Sequence, residues 1–188
     1  GKGDGLLVSE DRTPNFRGAL VTGLTDRAPV ADLKALAADI DAGKVKSVLI
    51  VREDAAMLGL PASTLAKVRS VVLATHHNVT TAAAEVVLPA LTVFERSGTF
   101  INCQFRLQSF AQAVPGPTGV LPDALVLARL ARADAGAVWA ELSADVPMLA
   151  GLDGRLLPAE GVQLDGAAFA AHKFPEGKLL KFAPVAVA

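Results

Sequence analysis

The sequence predicts an α/β fold, a Rossmann-like parallel sheet with flanking helices. Three short strand-like runs with helical segments between them carry the prediction. Residues 47–51, 71–74 and 85–89 are the runs, rich in Val, Leu, Ile and Ala. The first reads as a strand covered on both faces, as parallel strands usually are. Helix–strand–helix–strand at this spacing is the alternation that lays neighbouring strands parallel. The chain has 188 residues, about one domain's worth on the usual ~150-residue scale.

Each element has its own reason. Residues 1–31 carry Gly, Pro, Asn and Asp at close intervals and read as an extended leader. The opening Gly1-Lys2-Gly3-Asp4-Gly5 has no initiator Met, which suggests a piece of a longer polypeptide. Leu33, Leu36, Ala37 and Ile40 fall at i, i+3, i+4 and i+7, one face of a helix. Asp32 is placed to cap its start, and Gly43 suits the left-handed residue beyond its end. Pro61-Ala62-Ser63-Thr64 opens a second helix running to Val68, and 80–84 is a helical turn. Pro89 stops the third strand. Phe105 and Leu107 then alternate with Arg106 and Gln108, a strand with one wet face. Pro115-Gly116-Pro117-Thr118-Gly119 is a rigid turn, followed by helices over 122–133 and 135–144. Gly and Pro punctuate 147–188, with one strand expected near 179–182. The domain reading is an extended leader (1–31), a Rossmann-like α/β domain (32–146) and a C-terminal extension (147–188).

Composition excludes several functions. Eighteen Lys+Arg against nineteen Asp+Glu leave a charge of −1. With no run of like charge, that argues against a nucleic-acid or polybasic membrane surface. The longest mostly apolar stretch, 86–94, is far short of the ~18 residues of a membrane span. One cysteine, Cys103, rules out a disulfide framework, a four-thiolate zinc site or an iron–sulfur cluster held within the chain. It points to a reducing compartment.

No common catalytic motif is complete. Gly1–Gly5 lacks the preceding strand and following helix that a phosphate loop needs. There is no Gly-x-Ser-x-Gly elbow. Cys103 has no cationic neighbour in sequence to lower its pKa and reads as a buried, inert thiol. His76 and His77, adjacent on an extended segment, point to opposite sides. They lie at the carboxyl end of the second strand, where α/β sheets bind ligands. Glu53, Asp54, Asp39 and Asp41 read as solvated carboxylates. Arg96 and Arg106 flank a Ser/Gly/Thr/Asn-rich segment, 95–102, where backbone can approach a ligand closely. Composition alone leaves two readings of it: a ligand-facing loop, or a turn in which Glu95 pairs with an arginine.

The order Ala84-Glu85-Val86-Val87-Leu88-Pro89-Ala90, then Glu95-Arg96-Ser97-Gly98-Thr99-Phe100-Ile101-Asn102, then Arg106-Leu107-Gln108 resembles the molybdopterin oxidoreductase superfamily. Members carry Ala-Asp-Val-Val-Leu-Pro, then Glu-x-x-Gly-Thr-x-x-Asn and Arg-x-Gln. Pro14-Asn15-x-Arg17-Gly18-Ala19, Ala113-Val114-Pro115-Gly116 and Pro122-Asp123 are also similar, so the resemblance spans 14–133. It implies a fragment of a molybdopterin-oxidoreductase-like domain. Within the superfamily the nearest resemblance is to the large iron–sulfur subunit of bacterial NADH:quinone oxidoreductase (NADH dehydrogenase, respiratory complex I). That implies iron–sulfur clusters in the parent chain, none here, and other peripheral-arm subunits as partners. It also implies a cytoplasmic position peripheral to the inner membrane, without membrane insertion or nucleic acid.

Three departures favour the complex I protein, which by the resemblance shares the enzymes' fold and holds no molybdenum cofactor in this part. Where loaded members read Gly-x-Asn-Pro after the first strand, this chain has Arg52-Glu53-Asp54-Ala55. Two carboxylates there would repel a pyrophosphate. After the second strand, Thr75-His76-His77 replace the Asp that pairs with a guanine edge. The closing barrel-like domain is not recognisable in 147–188. On this reading no residue is catalytic, and Thr99, Asn102, Arg106 and Gln108 are remnants of a cofactor-facing loop kept for packing. The alternative is part of a molybdenum- or tungsten-dependent formate dehydrogenase-like catalytic subunit. Thr99 and Asn102 would then contact the pterin and Arg106 a phosphate, with Gln108 beside them. A freestanding nucleotide-binding module is a third reading, weakened by the missing glycine loop.

Overall fold

A computed structural model describes residues 7–9, 15–25, 33–172 and 177–179. The expected Asp32 cap, the Gly1–Gly5 opening, Pro14 and residues 180–182 lie outside them. In chain order the elements are β1 (Leu7–Ser9), α1 (Phe16–Val21), α2 (Lys34–Asp41), β2 (Ser47–Val51), α3 (Ala62–Leu65), β3 (Arg69–Ala74) and α4 (Val79–Ala83). After these come β4 (Val86–Pro89), β5 (Gly98–Ile101), β6 (Arg106–Phe110), α5 (Asp123–Ala131), α6 (Val138–Asp145), β7 (Val162–Gln163) and β8 (Gly177–Leu179). The fold is α/β, with a parallel three-stranded sheet and flanking helices. No helix among the described residues is long and apolar enough to cross a membrane.

The chain forms two compact units. One is drawn from Val30–Gly98 and Phe110–Glu141, the other from Gly1–Pro29, Thr99–Ser109 and Leu142–Ala188.

The first holds the parallel sheet, in the order β2-β3-β4. Its register runs from Ser47↔Arg69 to Val51↔Leu73 and from Val71↔Val86 to Ala74↔Pro89. The α2 stripe faces inward as its spacing predicts. Ile40 is buried with Ala55, Leu60, Leu65 and Val68, and Leu33, Leu36 and Ala37 pack against them. Each such leucine or isoleucine contributes roughly 1.5–3 kcal/mol by leaving water. Gly43 takes φ +70° just past the helix, as expected. Burial on both faces is realised only by β3, whose Val72 and Leu73 have no exposed surface. The edge strands correct the expectation. Leu49 is 50% exposed on β2, and Val86 and Val87 are 42% and 39% exposed on β4. Only the middle strand has a neighbour on each side. Asn78 starts α4 with a capping box that sequence inspection missed: its Oδ1 accepts the Thr81 N–H, and Thr81 Oγ1 accepts the Asn78 N–H, both at 2.8 Å.

In the second unit β5, β6 and β7 form a sheet, with Arg106↔Gln163 and Leu107↔Val162 antiparallel. β1 and β8 pair antiparallel, Leu7 opposite Leu179 and Ser9 opposite Gly177. Two expectations are corrected here. Residues 16–21 are helical rather than extended, burying Phe16 and Leu20, and six residues are too few to show a period. Phe105 is not a strand residue. It sits at φ +59° in the turn before β6, where its N–H donates to the Asn102 carbonyl (3.0 Å) and its own carbonyl accepts from Leu164 (2.9 Å).

Candidate functional site

The family-like block divides between the two units, and each part is held by its own side chains. In the parallel-sheet unit, Thr92 donates its N–H to Glu95 Oε2 (2.7 Å) while Glu95 N–H donates to the Thr92 carbonyl (3.2 Å). The hydrogen bond from the Thr92 backbone holds the Glu95 carboxyl below its ordinary range. Glu95 therefore clasps a turn rather than pairing with an arginine. Arg96 lies over the Phe110 ring, 5.6 Å from its centroid. A Cβ on Gly98 would meet that ring at 3.0 Å, which is why a glycine suits this place.

In the other unit, Ile101 N–H donates to Asn15 Oδ1 (2.9 Å). A Cβ on Gly18 would overlap that same oxygen and meet the Asn15 Cγ behind it at 2.7 Å, so the Asn-x-x-Gly pattern is a latch from α1 to β5. Asn102 Oδ1 accepts the N–H groups of Gln104 (2.9 Å) and Arg106 (3.0 Å), and its Nδ2 donates to Gln108 Oε1 (3.1 Å). Arg106 Nη1 donates to the Glu160 carbonyl (3.2 Å). The fold thus brings Asn102, Arg106 and Gln108 together around the β5–β6 turn, with Thr99 half-buried on β5. Cys103 is exposed in that turn, contrary to the buried thiol expected.

The carboxyl ends of the parallel strands make the second candidate region. Arg52 leaves β2 at φ +63°, its N–H bonded to the Leu73 carbonyl (2.8 Å). Its guanidinium makes a two-point ion pair with Asp123, Nη2 to Oδ1 at 2.9 Å and Nε to Oδ2. Two of the next four amides are also taken: Asp54 N–H donates to Glu53 Oε1 (3.2 Å), and Ala56 N–H donates to both Asp54 Oδ1 (3.2 Å) and Thr80 Oγ1 (3.0 Å). Buried Thr80 donates its hydroxyl to Asp54 Oδ1 (2.5 Å). Asp54 is therefore half-buried and engaged, not merely solvated. Asp39 and Asp41 do form exposed pairs, with Lys44 and Lys67.

A pyrophosphate at a strand end needs uncommitted N–H groups and cations. Here the loop's own carboxylates and Asp123 take several of them, so the loop as it stands does not fit a pterin nucleotide. After β3, Thr75 Oγ1 lies 3.0 Å from His76 Nδ1, and His76 and His77 are both exposed. Among the described residues no three His, Cys, Asp or Glu side chains gather as a metal site. Two of these contacts gave no sequence signal, because Arg52 and Asp123 lie 71 positions apart and Asp54 and Thr80 lie 26 apart.

Comparison with known proteins bears on this arrangement. The chain is 33% identical over 90 residues to the F420-dependent formate dehydrogenase 2 subunit alpha of Methanococcus maripaludis. That match takes in 43% of this chain and 13% of the relative's length. The family model described as molybdopterin oxidoreductase matches residues 16–133, a range that includes α1, the parallel sheet, the clasped Glu95 turn and α5. By that match over more than half its length, the chain belongs to the molybdopterin oxidoreductase family.

Proposed function

We propose that this chain is a structural α/β segment of a protein like the large iron–sulfur subunit of NADH:quinone oxidoreductase, and that it carries no catalytic centre of its own. The observation that carries the reading is the loop after β2. Glu53 and Asp54 answer its amides, and Asp123 neutralises its one arginine. The roles of Asn102, Arg106 and Gln108 in holding a turn support it. The parent would carry electrons from NADH toward quinone through iron–sulfur clusters bound elsewhere. This segment would pack among peripheral-arm subunits on the cytoplasmic side of the inner membrane.

A second reading has one observation in its favour, the similarity to a formate dehydrogenase alpha subunit. Under it the chain is part of a molybdenum- or tungsten-dependent catalytic subunit. The Glu53 and Asp54 carboxylates would then have to swing away before a pyrophosphate could enter.

Metal and pterin analysis of the intact protein from its source separates the two. Iron without molybdenum, tungsten or pterin is the expected result. Near-stoichiometric molybdenum or tungsten with pterin would overturn the scaffold reading.

A further inference from the structure

The parallel sheet ends on β4, and among the described residues no strand pairs with its outer side. Ala90 donates its N–H to the Ala74 carbonyl (2.9 Å), so by the alternation of a strand the backbone groups of Val86 and Leu88 also face β3. Val87 faces the other way. Its N–H and C=O point out from the sheet with no partner among the described residues, and its side chain is exposed. At the carboxyl end of β4, Leu88 and Pro89 line an apolar pocket with Leu121, Val126 and Leu130, and Arg129 stands in its wall. Arg129 is exposed and has no ion pair among the described residues. Just before the strand comes Glu85, also exposed and only loosely paired with Arg69 at 3.4 Å. One edge thus bears an acid at its start and a base at its finish.

We propose that β4 is the contact of a closed dimer, in which a second copy of this chain lays its own β4 antiparallel across a two-fold axis through Val87. Counting out from Val87 sets the register. The two Val87 residues exchange both N–H···O bonds. Val86 comes opposite Leu88 of the partner subunit, at the mouth of the apolar pocket, where both leave water. Glu85 comes opposite Pro89 of the partner subunit, which lines the same pocket as Arg129. Because the contact is isologous, acid meets base twice. Pro89 has no N–H to offer, so the pairing is short and stops there. The opposite edge of the sheet has no such match. The same operation about Leu49 on β2 sets Lys46 against Arg52 of the partner subunit, and like charges directly opposite repel.

Sedimentation equilibrium and oxidative cross-linking of the intact protein test this. The wild type should show a reversible monomer–dimer equilibrium and nothing larger. Glu85→Arg and Arg129→Glu each put two like-charged contacts into the dimer, and each should raise its dissociation constant by about tenfold. Mixed in equal amounts, the two variants should pair with each other as tightly as the wild type, because every contact again joins an acid and a base. Mixing cannot repair a variant that has lost its fold, so recovery reports on the contact alone. In a Cys103→Ser background, Val87→Cys should form an intermolecular disulfide, its two Cα atoms lying about 5.5 Å apart across the axis. Leu49→Cys on β2 should not. A mixture no tighter than the single variants would overturn the proposal, as would equal cross-linking at Leu49 and Val87. A wild type that stays monomeric, or that grows into open polymers, would do the same. None of these outcomes bears on metal or pterin content, so the scaffold reading stands or falls separately.

Discussion

Gly18 reverses the usual rule for a glycine inside a helix. Replacing such a residue by alanine normally stabilises by about 0.4–1 kcal/mol through the unfolded chain. Here the new Cβ would overlap Asn15 Oδ1, the oxygen that holds the Ile101 N–H. Gly18→Ala should therefore destabilise, by about 1–3 kcal/mol as overpacking does, and expose the Ile101 amide to exchange. A more stable variant would sink the latch. Asn102 can be dissected in the same way. Asn102→Ala leaves two N–H groups and the Gln108 side-chain Oε1 without their partner, at about 1–3 kcal/mol. Asn102→Asp keeps the acceptor and loses only the Nδ2 donor, so it should cost less in denaturant titrations. Equal losses would mean that the Gln108 bond, not the turn, matters. The sequence singled out Asn102 either as a cofactor contact or as a remnant kept for packing and hydrogen bonding, and its bonds here are to its own turn. An asparagine that grips a ligand and one that grips its own turn have the same letter and the same neighbours.

At the scale of elements, what could be read was what is local. β2, β3 and the α2 stripe follow from apolar spacing within ten residues, and each lies where that spacing puts it. Edge and centre could not be told apart, because strand order is a long-range fact. The left-handed Phe105 was also hidden, since its conformation is imposed by the Asn102 turn rather than by its own preference. The contact between the loop after β2 and α4 is likewise non-local, and it makes a sharp prediction. Thr80→Val keeps the shape of a buried residue but removes one of the two acceptors of the Ala56 N–H and one of the two donors to Asp54 Oδ1, leaving only the 3.2 Å bond between them. About 0.5–1.5 kcal/mol per lost bond is the expected cost, with faster exchange at Ala56. The turn from Thr92 to Glu95 answers to pH instead. The Glu95 pKa lies below its ordinary 4.5 in the folded chain. Its contribution is therefore complete above that value and is lost as pH falls through the folded pKa. Protection of the Thr92 amide should fade on acidification below about pH 4.5. Glu95→Gln should remove that dependence, and a Thr92 amide indifferent to pH in the wild type would refute the clasp.

For the molecule as a whole, the decisive feature is what the parallel sheet leaves uncovered. Parallel sheets are ordinarily buried on both faces, and exposed apolar edge strands invite pairing with another chain. Leu49 on β2 and Val86 and Val87 on β4 are all well exposed, and neither edge strand carries a lysine to discourage pairing. A protein in water does not leave such edges free without consequence. The 188-residue chain on its own should therefore self-associate as its concentration rises through the micromolar range. Val87→Lys, which puts a charge on the β4 edge, should shift that association to higher concentration. A lysine placed instead at exposed Leu156 should not, although that leucine is 81% exposed, because it lies in no strand. Sedimentation velocity across a concentration series reads both variants directly. If the wild type stays monomeric, the edges are already satisfied by the chain itself. If both lysines act alike, general hydrophobicity rather than strand pairing drives the association. Only a response confined to Val87 ties the behaviour of the molecule to the sheet edge.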